Sequence, residues 1–99
     1  SNAGGGRNVA LGYYALFSNV SGTDNVGIGF EALKVNTSSY SIGIGRRALY
    51  SNTSGDGNTA VGNHSLHDNT TGANNTAFGR DTLGTNATGD SNTAVVIML

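Results

Sequence analysis

The chain repeats one short pattern along nearly its whole length. The pattern is Asn-Thr-Ala-Val-Gly, two variable residues, Ala-Leu, two more, Asn-Thr-Thr-Gly, two more, and then a restart. Its first positions are Asn8, Asn25, Ser41, Asn58, Asn75 and Asn92, spaced 17, 16, 17, 17 and 17 residues apart. A fixed period this short marks a solenoid, in which each repeat is one turn stacked on the last. The expected fold is therefore all-β, a parallel β-roll of about five 17-residue coils at 8–24, 25–40, 41–57, 58–74 and 75–91, with a partial coil at 92–99. Residues 4–99 form one repeat domain, and Ser1-Asn2-Ala3 reads as a cloning remnant ahead of an excised segment. Such a design supplies surface and length more readily than a catalytic pocket.

Stacking the repeats turns them into columns. The ninth column is Leu16, Leu33, Leu49, Leu66 and Leu83, and the fourth is Leu11, Ile28, Ile44, Val61, Phe78 and Val95. Large apolar residues placed above one another predict a continuous core, so both columns are expected inside. The second column, Val9, Val26, Ile42, Thr59, Thr76 and Thr93, is β-branched and favours a strand. The third, Ala10, Gly27, Gly43, Ala60, Ala77 and Ala94, holds only small residues and predicts close approach of another backbone. Side chains alternate faces along a strand, so columns two and four share one face and columns one and three the other. The fifth column is Gly12, Gly29, Gly45, Gly62 and Gly79, then Val96, which predicts a tight bend closing the strand. The Tyr14-Ala15-Leu16 segment and its equivalents read as a second strand, and Asn-Thr-Thr-Gly as the closing loop. With 16 glycines interrupting every window, no helical period survives.

The twelfth column is Asn19, Asn36, Asn52, Asn69 and Asn86. Each begins an N-x-S/T sequon, and Asn74 begins a further one, which admits N-glycosylation. Because these asparagines recur with the structural period, a stacked amide ladder is the expected role.

Only 11% of residues are charged, against roughly 25% in an average domain, and five basic residues nearly cancel six acidic ones. No basic patch points to nucleic acid. No apolar run is long enough for a membrane span, so no membrane contact is expected of this segment. There is no cysteine and hence no disulfide framework. One leucine and one further large apolar residue per coil is little burial for seventeen ordered residues. Association between copies is therefore expected, with columns two and three as contact faces.

Asn58-Thr59-Ala60-Val61-Gly62, Asn75-Thr76-Ala77-Phe78-Gly79 and Asn8-Val9-Ala10-Leu11-Gly12, each leading to a small-residue-Leu step, resemble the head repeats of YadA-type trimeric autotransporter adhesins. The pattern is also similar to repeats of phage-type tail fibres. The resemblance covers Asn8 to Val95. It implies a left-handed roll, a homotrimer about a common axis, and an extracellular fibre on a bacterial cell surface that attaches to host surface proteins or glycans. The tail-fibre resemblance implies a spacer in a virion shaft. The Asn-Thr-Thr-Gly stretch lengthens each coil beyond the usual head repeat and predicts a protruding loop.

Other chemistry is weaker. His64, His67 and Asp68 are residue types of a zinc or nickel site. The matching columns carry Tyr14, Glu31, Arg47 and Asp81, or Phe17, Lys34, Tyr50 and Gly84, which reads as variable surface. No metal and no cofactor is expected. Asp24, Asp56 and Asp90 are too sparse for calcium repeats and read as turn residues. Serines abound, but no strand-turn-helix context exposes a nucleophile, so no enzyme activity is expected. Thr59, Thr76 and Thr93 make half of the regular threonine array an ice-binding face needs. Tyr13, Tyr14, Phe17, Phe30 and Tyr40 form either a binding patch or a covered end face. The Val95–Leu99 tail is expected to cap the roll or to pack on neighbouring chains.

Overall fold

A computed structural model describes residues 5–96. Ser1-Asn2-Ala3, and Ile97, Met98 and Leu99 of the tail, lie outside the described residues. Six three-residue strands follow one another: β1 (Val9–Leu11), β2 (Val26–Ile28), β3 (Ile42–Ile44), β4 (Thr59–Val61), β5 (Thr76–Phe78) and β6 (Thr93–Val95). They form one parallel sheet in the order β1-β2-β3-β4-β5-β6. Each residue pairs with its repeat equivalent, as in Val9 with Val26 or Ala60 with Ala77. The chain is a β-solenoid of stacked coils.

Backbone bonding between coils continues past the strands. Val26 N–H donates to the Ser41 carbonyl at 2.9 Å, Gly45 N–H to Ile28 at 2.8 Å, and Leu33 N–H to Ala48 at 3.0 Å. The Tyr14-Ala15-Leu16 segment, expected as a second strand, is instead a chain of turns with left-handed residues at every other position. Tyr14, Glu31, Arg47, His64 and Asp81 have φ of 56–60°, and Leu16, Leu33, Leu49, Leu66 and Leu83 have φ of 50–54°. Each such residue costs about 1–2 kcal/mol outside glycine. The neighbouring coils hold the conformation by bonding it on both sides: Glu31 N–H donates to Tyr13 at 2.7 Å and Leu49 N–H to Ser65 at 3.0 Å.

The core corrects the assignment of faces. Leu33, Leu49 and Leu66 are fully buried, Leu16 nearly so, and Leu83 packs on them, with Ala48, Ala60 and Ala77 alongside. The fourth column, expected with the leucines, points outward. Leu11 is 66% exposed, Phe78 43% and Val95 56%, while Ile28, Ile44 and Val61 are half-buried. The third column, expected as a contact face between copies, is the inner one. The reason is width. A Cβ built on Gly27 would lie 3.2 Å from Leu16 Cγ, and one on Gly43 3.2 Å from Leu33 Cγ. A coil this narrow holds one leucine, and nothing larger than alanine fits opposite it.

The other half of the interior is polar. Asn52 Nδ2 donates to Asn36 Oδ1 at 2.7 Å, Asn69 Nδ2 to Asn52 Oδ1 at 2.8 Å, and Asn86 Nδ2 to Asn69 Oδ1 at 3.0 Å. The same Nδ2 groups reach the loop carbonyls of their own coils, as in Asn19 to Gly22 at 3.0 Å and Asn69 to Gly72 at 3.0 Å. The first column forms a second ladder beside it. Its Oδ1 atoms accept the backbone N–H one coil on, as Asn8 does from Asn25 at 2.8 Å and Asn58 from Asn75 at 2.9 Å. The loop expected to protrude is therefore drawn inward at both ends. Asn19 and Gly22 are buried, and only Val20 and Ser21 between them face solvent. Burial of Asn19, Asn36, Asn52 and Asn69 leaves no room for a glycan on any of them.

Leu49→Ala is expected to cost about 2–5 kcal/mol, since the rigid coils above and below cannot collapse into the void. Chemical denaturation of the variant beside the parent checks this.

Candidate functional site

Inside the roll every position is dictated by stacking. The widest change of side-chain chemistry between coils falls at outward positions that follow the column-five glycine. In the sixth column these are Tyr13, Phe30, Arg46, Asn63 and Arg80; in the seventh, Tyr14, Glu31, Arg47, His64 and Asp81; in the tenth, Phe17, Lys34, Tyr50, His67 and Gly84. The roll brings all three columns onto one strip along its length.

The strip is a continuous stack. At its start Tyr13 and Phe30 lie parallel with centroids 5.3 Å apart, and Tyr14 meets Phe17 at 4.4 Å. Tyr13 is 61% exposed and Phe17 49%. In the middle, Glu31 accepts from Lys34 Nζ at 3.0 Å and from Arg47 Nε at 2.8 Å. Lys34 and Arg47 also sit over the Tyr50 ring at 5.7 and 5.2 Å. Beyond them His67 lies parallel on Tyr50 at 5.1 Å and 10°. The stack stops there, because Gly84 brings no side chain to the next level.

That interruption opens a pocket of about 670 Å³ lined by Arg47, His64, His67, Asp68, Asp81, Leu83, Gly84 and Thr85. His67 Nδ1–H donates to Asp68 at 2.8 Å. His64 Nδ1 faces Asp81 at 3.6 Å, and Arg46 donates to His64 Nε2 at 3.3 Å. The histidines thus face different carboxylates. Among the described residues no three His, Cys, Asp or Glu side chains converge as metal ligands. The loop aspartates serve the backbone and an ion pair. Asp56 accepts from Ser39 N–H at 2.9 Å, Asp90 from Ala73 N–H at 2.8 Å, and Asp24 pairs with Arg7.

Comparison with known protein families, characterised proteins and solved structures gives no match. What the strip can do must be read from its own chemistry. Among the described residues no helix is long and apolar enough to cross a membrane. Sequence reasoning named the members of the seventh and tenth columns without seeing that they stack. The signal for the pocket was Gly84, a glycine in a column otherwise filled by large side chains.

Glu31 is the charged centre of the strip. Desolvation pushes its carboxyl up, but Lys34 and Arg47 together outweigh this and hold it below the usual carboxylate range. A depressed carboxylate stabilises the fold above its unfolded value, 4.5 for glutamate, and loses that contribution as pH falls through the folded value. The melting-temperature gap between parent and Glu31→Gln is therefore expected to narrow from roughly pH 6 to roughly pH 3.

Proposed function

We propose that this chain is a segment of a trimeric surface fibre, displaying the same strip three times for multivalent attachment to host surface proteins or glycans outside a bacterial cell. One observation carries the reading: the outer face of a six-stranded parallel sheet is left as an in-register apolar ladder. Leu11, Ile28, Ile44, Val61, Phe78 and Val95 run along it in register, with Val26 and Ile42 beside them. Parallel sheets are normally covered on both faces, and the inner face here is already filled by leucine and alanine. Three copies turned inward on this ladder would complete each other's cores. Weak single contacts then add as avidity. The repeat resemblance supports the same arrangement, and a tail-fibre shaft acting as a spacer would use the same packing. Thr59, Thr76 and Thr93 lie on this face, but as one column beside Val61, Phe78 and Val95, half of what an ice-binding array requires.

Sedimentation equilibrium tests the reading. The parent is expected as a trimer at micromolar concentration, and Ile44→Asp as monomer, because three carboxylates would meet about the axis. A parent that stays folded as a monomer at that concentration would sink it.

A further inference from the structure

The geometry points to the pocket beside His67 as a binding ledge for one pyranose ring of a neutral glycan. The inference deepens the surface-fibre reading and rests on it for its setting. A sugar offers one face of C–H groups and a rim of hydroxyls. It therefore needs a flat ring face bordered by hydrogen-bonding groups. The ladder supplies two stacked planes at successive coils, Tyr50 backing His67 at 5.1 Å, with the Lys34 ammonium over the Tyr50 ring at 5.7 Å. At the next coil Gly84 brings no side chain, and His67, whose ring also meets His64 edge-on at 5.2 Å, lines the pocket there. A sugar ring there would take the stacking position that a side chain holds in every earlier coil.

The rim matches the hydroxyls. Asp68 and Asp81, with side chains 54% and 60% exposed, present carboxylate acceptors, and Thr85 lines the same opening. Both carboxylates are already faced by local partners, Asp68 by His67 and Asp81 by His64 and by Arg80 at 3.4 Å. Both keep carboxylate oxygens open to solvent as acceptors. An anionic ligand would meet two carboxylates at the mouth. A cationic one would compete with Arg80 for Asp81. The pocket volume of 670 Å³ falls within the range of small-molecule sites and leaves room for the glycan to continue outward.

The test is saturation-transfer NMR on the assembled protein with methyl glycosides of galactose, glucose, mannose and N-acetylglucosamine, with free lysine and an acidic peptide as controls. At least one glycoside is expected to bind saturably, with a dissociation constant on the order of 1 mM. Gly84→Tyr extends the ladder into the vacant plane, and its backbone position already carries Phe17 and Tyr50 in other coils. A Cβ there would lie 3.1 Å from the Asp81 carbonyl oxygen, so a melting temperature within a few degrees below the parent's is expected, with binding lost about tenfold or more. Asp81→Asn, which keeps the shape, is expected to weaken binding less. No saturable binding by any glycoside, undiminished binding in Gly84→Tyr, or preference for lysine or peptide each overturns the inference. If the protein meanwhile sediments as a trimer, the fibre reading stands without it.

Discussion

Gly45→Ala is expected to lower the melting temperature by roughly 15–30 °C. Gly45 has φ of +127°, a region closed to residues with a Cβ, and a Cβ there would lie 2.7 Å from both the carbonyl carbon and oxygen of Gly62. The clash is with backbone, so no rotamer relieves it. Coils three and four must separate. Separation stretches the bonds from Gly62 N–H to Ile44 and from His64 N–H to Arg46, now 2.8 and 2.9 Å. Strain of about 1–3 kcal/mol and two hydrogen bonds of about 1 kcal/mol each sum to roughly 4 kcal/mol. At about 4–8 °C per kcal/mol for a domain of this size, the stated shift follows. Gly6→Ala is the control, since a Cβ there meets nothing within 4 Å; it should stay within about 0.5 kcal/mol of the parent. The sixth coil supports the argument. Val96 takes the glycine position above Gly79, where no described coil follows, and is absent from the positive-φ residues. A Gly45→Ala protein that melts with its parent at equal concentration would refute the steric account.

The period, the parallel stacking, the first strand of each coil and the leucine column were legible because each depends only on repetition and side-chain type, whereas the second strand expected at Tyr14-Ala15-Leu16 is a run of turns. Which face of the strand lies inside was not. Alternation separates Ala60 from Val61 but says nothing of which points inward, and hydrophobicity favoured Val61. Coil width decides, and width follows from backbone between Gly62 and Leu66 that sequence does not display. His64 has a left-handed φ of 60° and Leu66 of 50°, with no glycine or asparagine to announce either. The twelfth-column asparagines were readable as a ladder. Those of the first column carried the same signal, five asparagines in six coils, and it passed as a mere marker of the restart. The pocket was hidden for a different reason. It is made by a missing side chain at Gly84, and its wall exists only once Tyr50 and His67 stack.

Asn52→Asp should separate the polar half of the core from the apolar half. The Asn52 side chain is fully buried. Its Nδ2 donates to Asn36 Oδ1 at 2.7 Å and to the Gly55 carbonyl at 3.0 Å, while its Oδ1 accepts from Asn69 at 2.8 Å and from Asn58 at 3.2 Å. A carboxylate keeps the two acceptor contacts. It also sets an anionic oxygen against Asn36 Oδ1 and the Gly55 carbonyl. Asn36 Oδ1 still accepts from Ser38 Oγ at 2.7 Å and the Gly55 carbonyl from Asn58 Nδ2 at 3.2 Å, so the loss is two donor contacts and a buried charge set against two acceptors, together about 5 kcal/mol at pH 7. Burial raises the new group's folded pKa above its unfolded value of about 3.9. The sign follows: the loss is fullest above the folded pKa and shrinks as pH falls towards the unfolded value, where a protonated carboxyl can again donate to Asn36. Relative to the parent at each pH, the variant should therefore recover part of its stability near pH 4; the gap narrows on acidification as it does for Glu31→Gln, but here because the variant's carboxylate is neutralised and there because the parent loses an ion-paired carboxylate. Asn52→Leu, of similar volume and without charge, should be destabilised at every pH alike, because Asn58 and Asn69, which keep their bonds to the Gly72 carbonyl, each lose one amide contact that does not titrate. Urea midpoints for both variants at the two pH values distinguish the cases. Equal losses for Asn52→Asp at pH 4 and pH 7 would mean that water reaches the ladder, and that the amides are not the sealed spine described above.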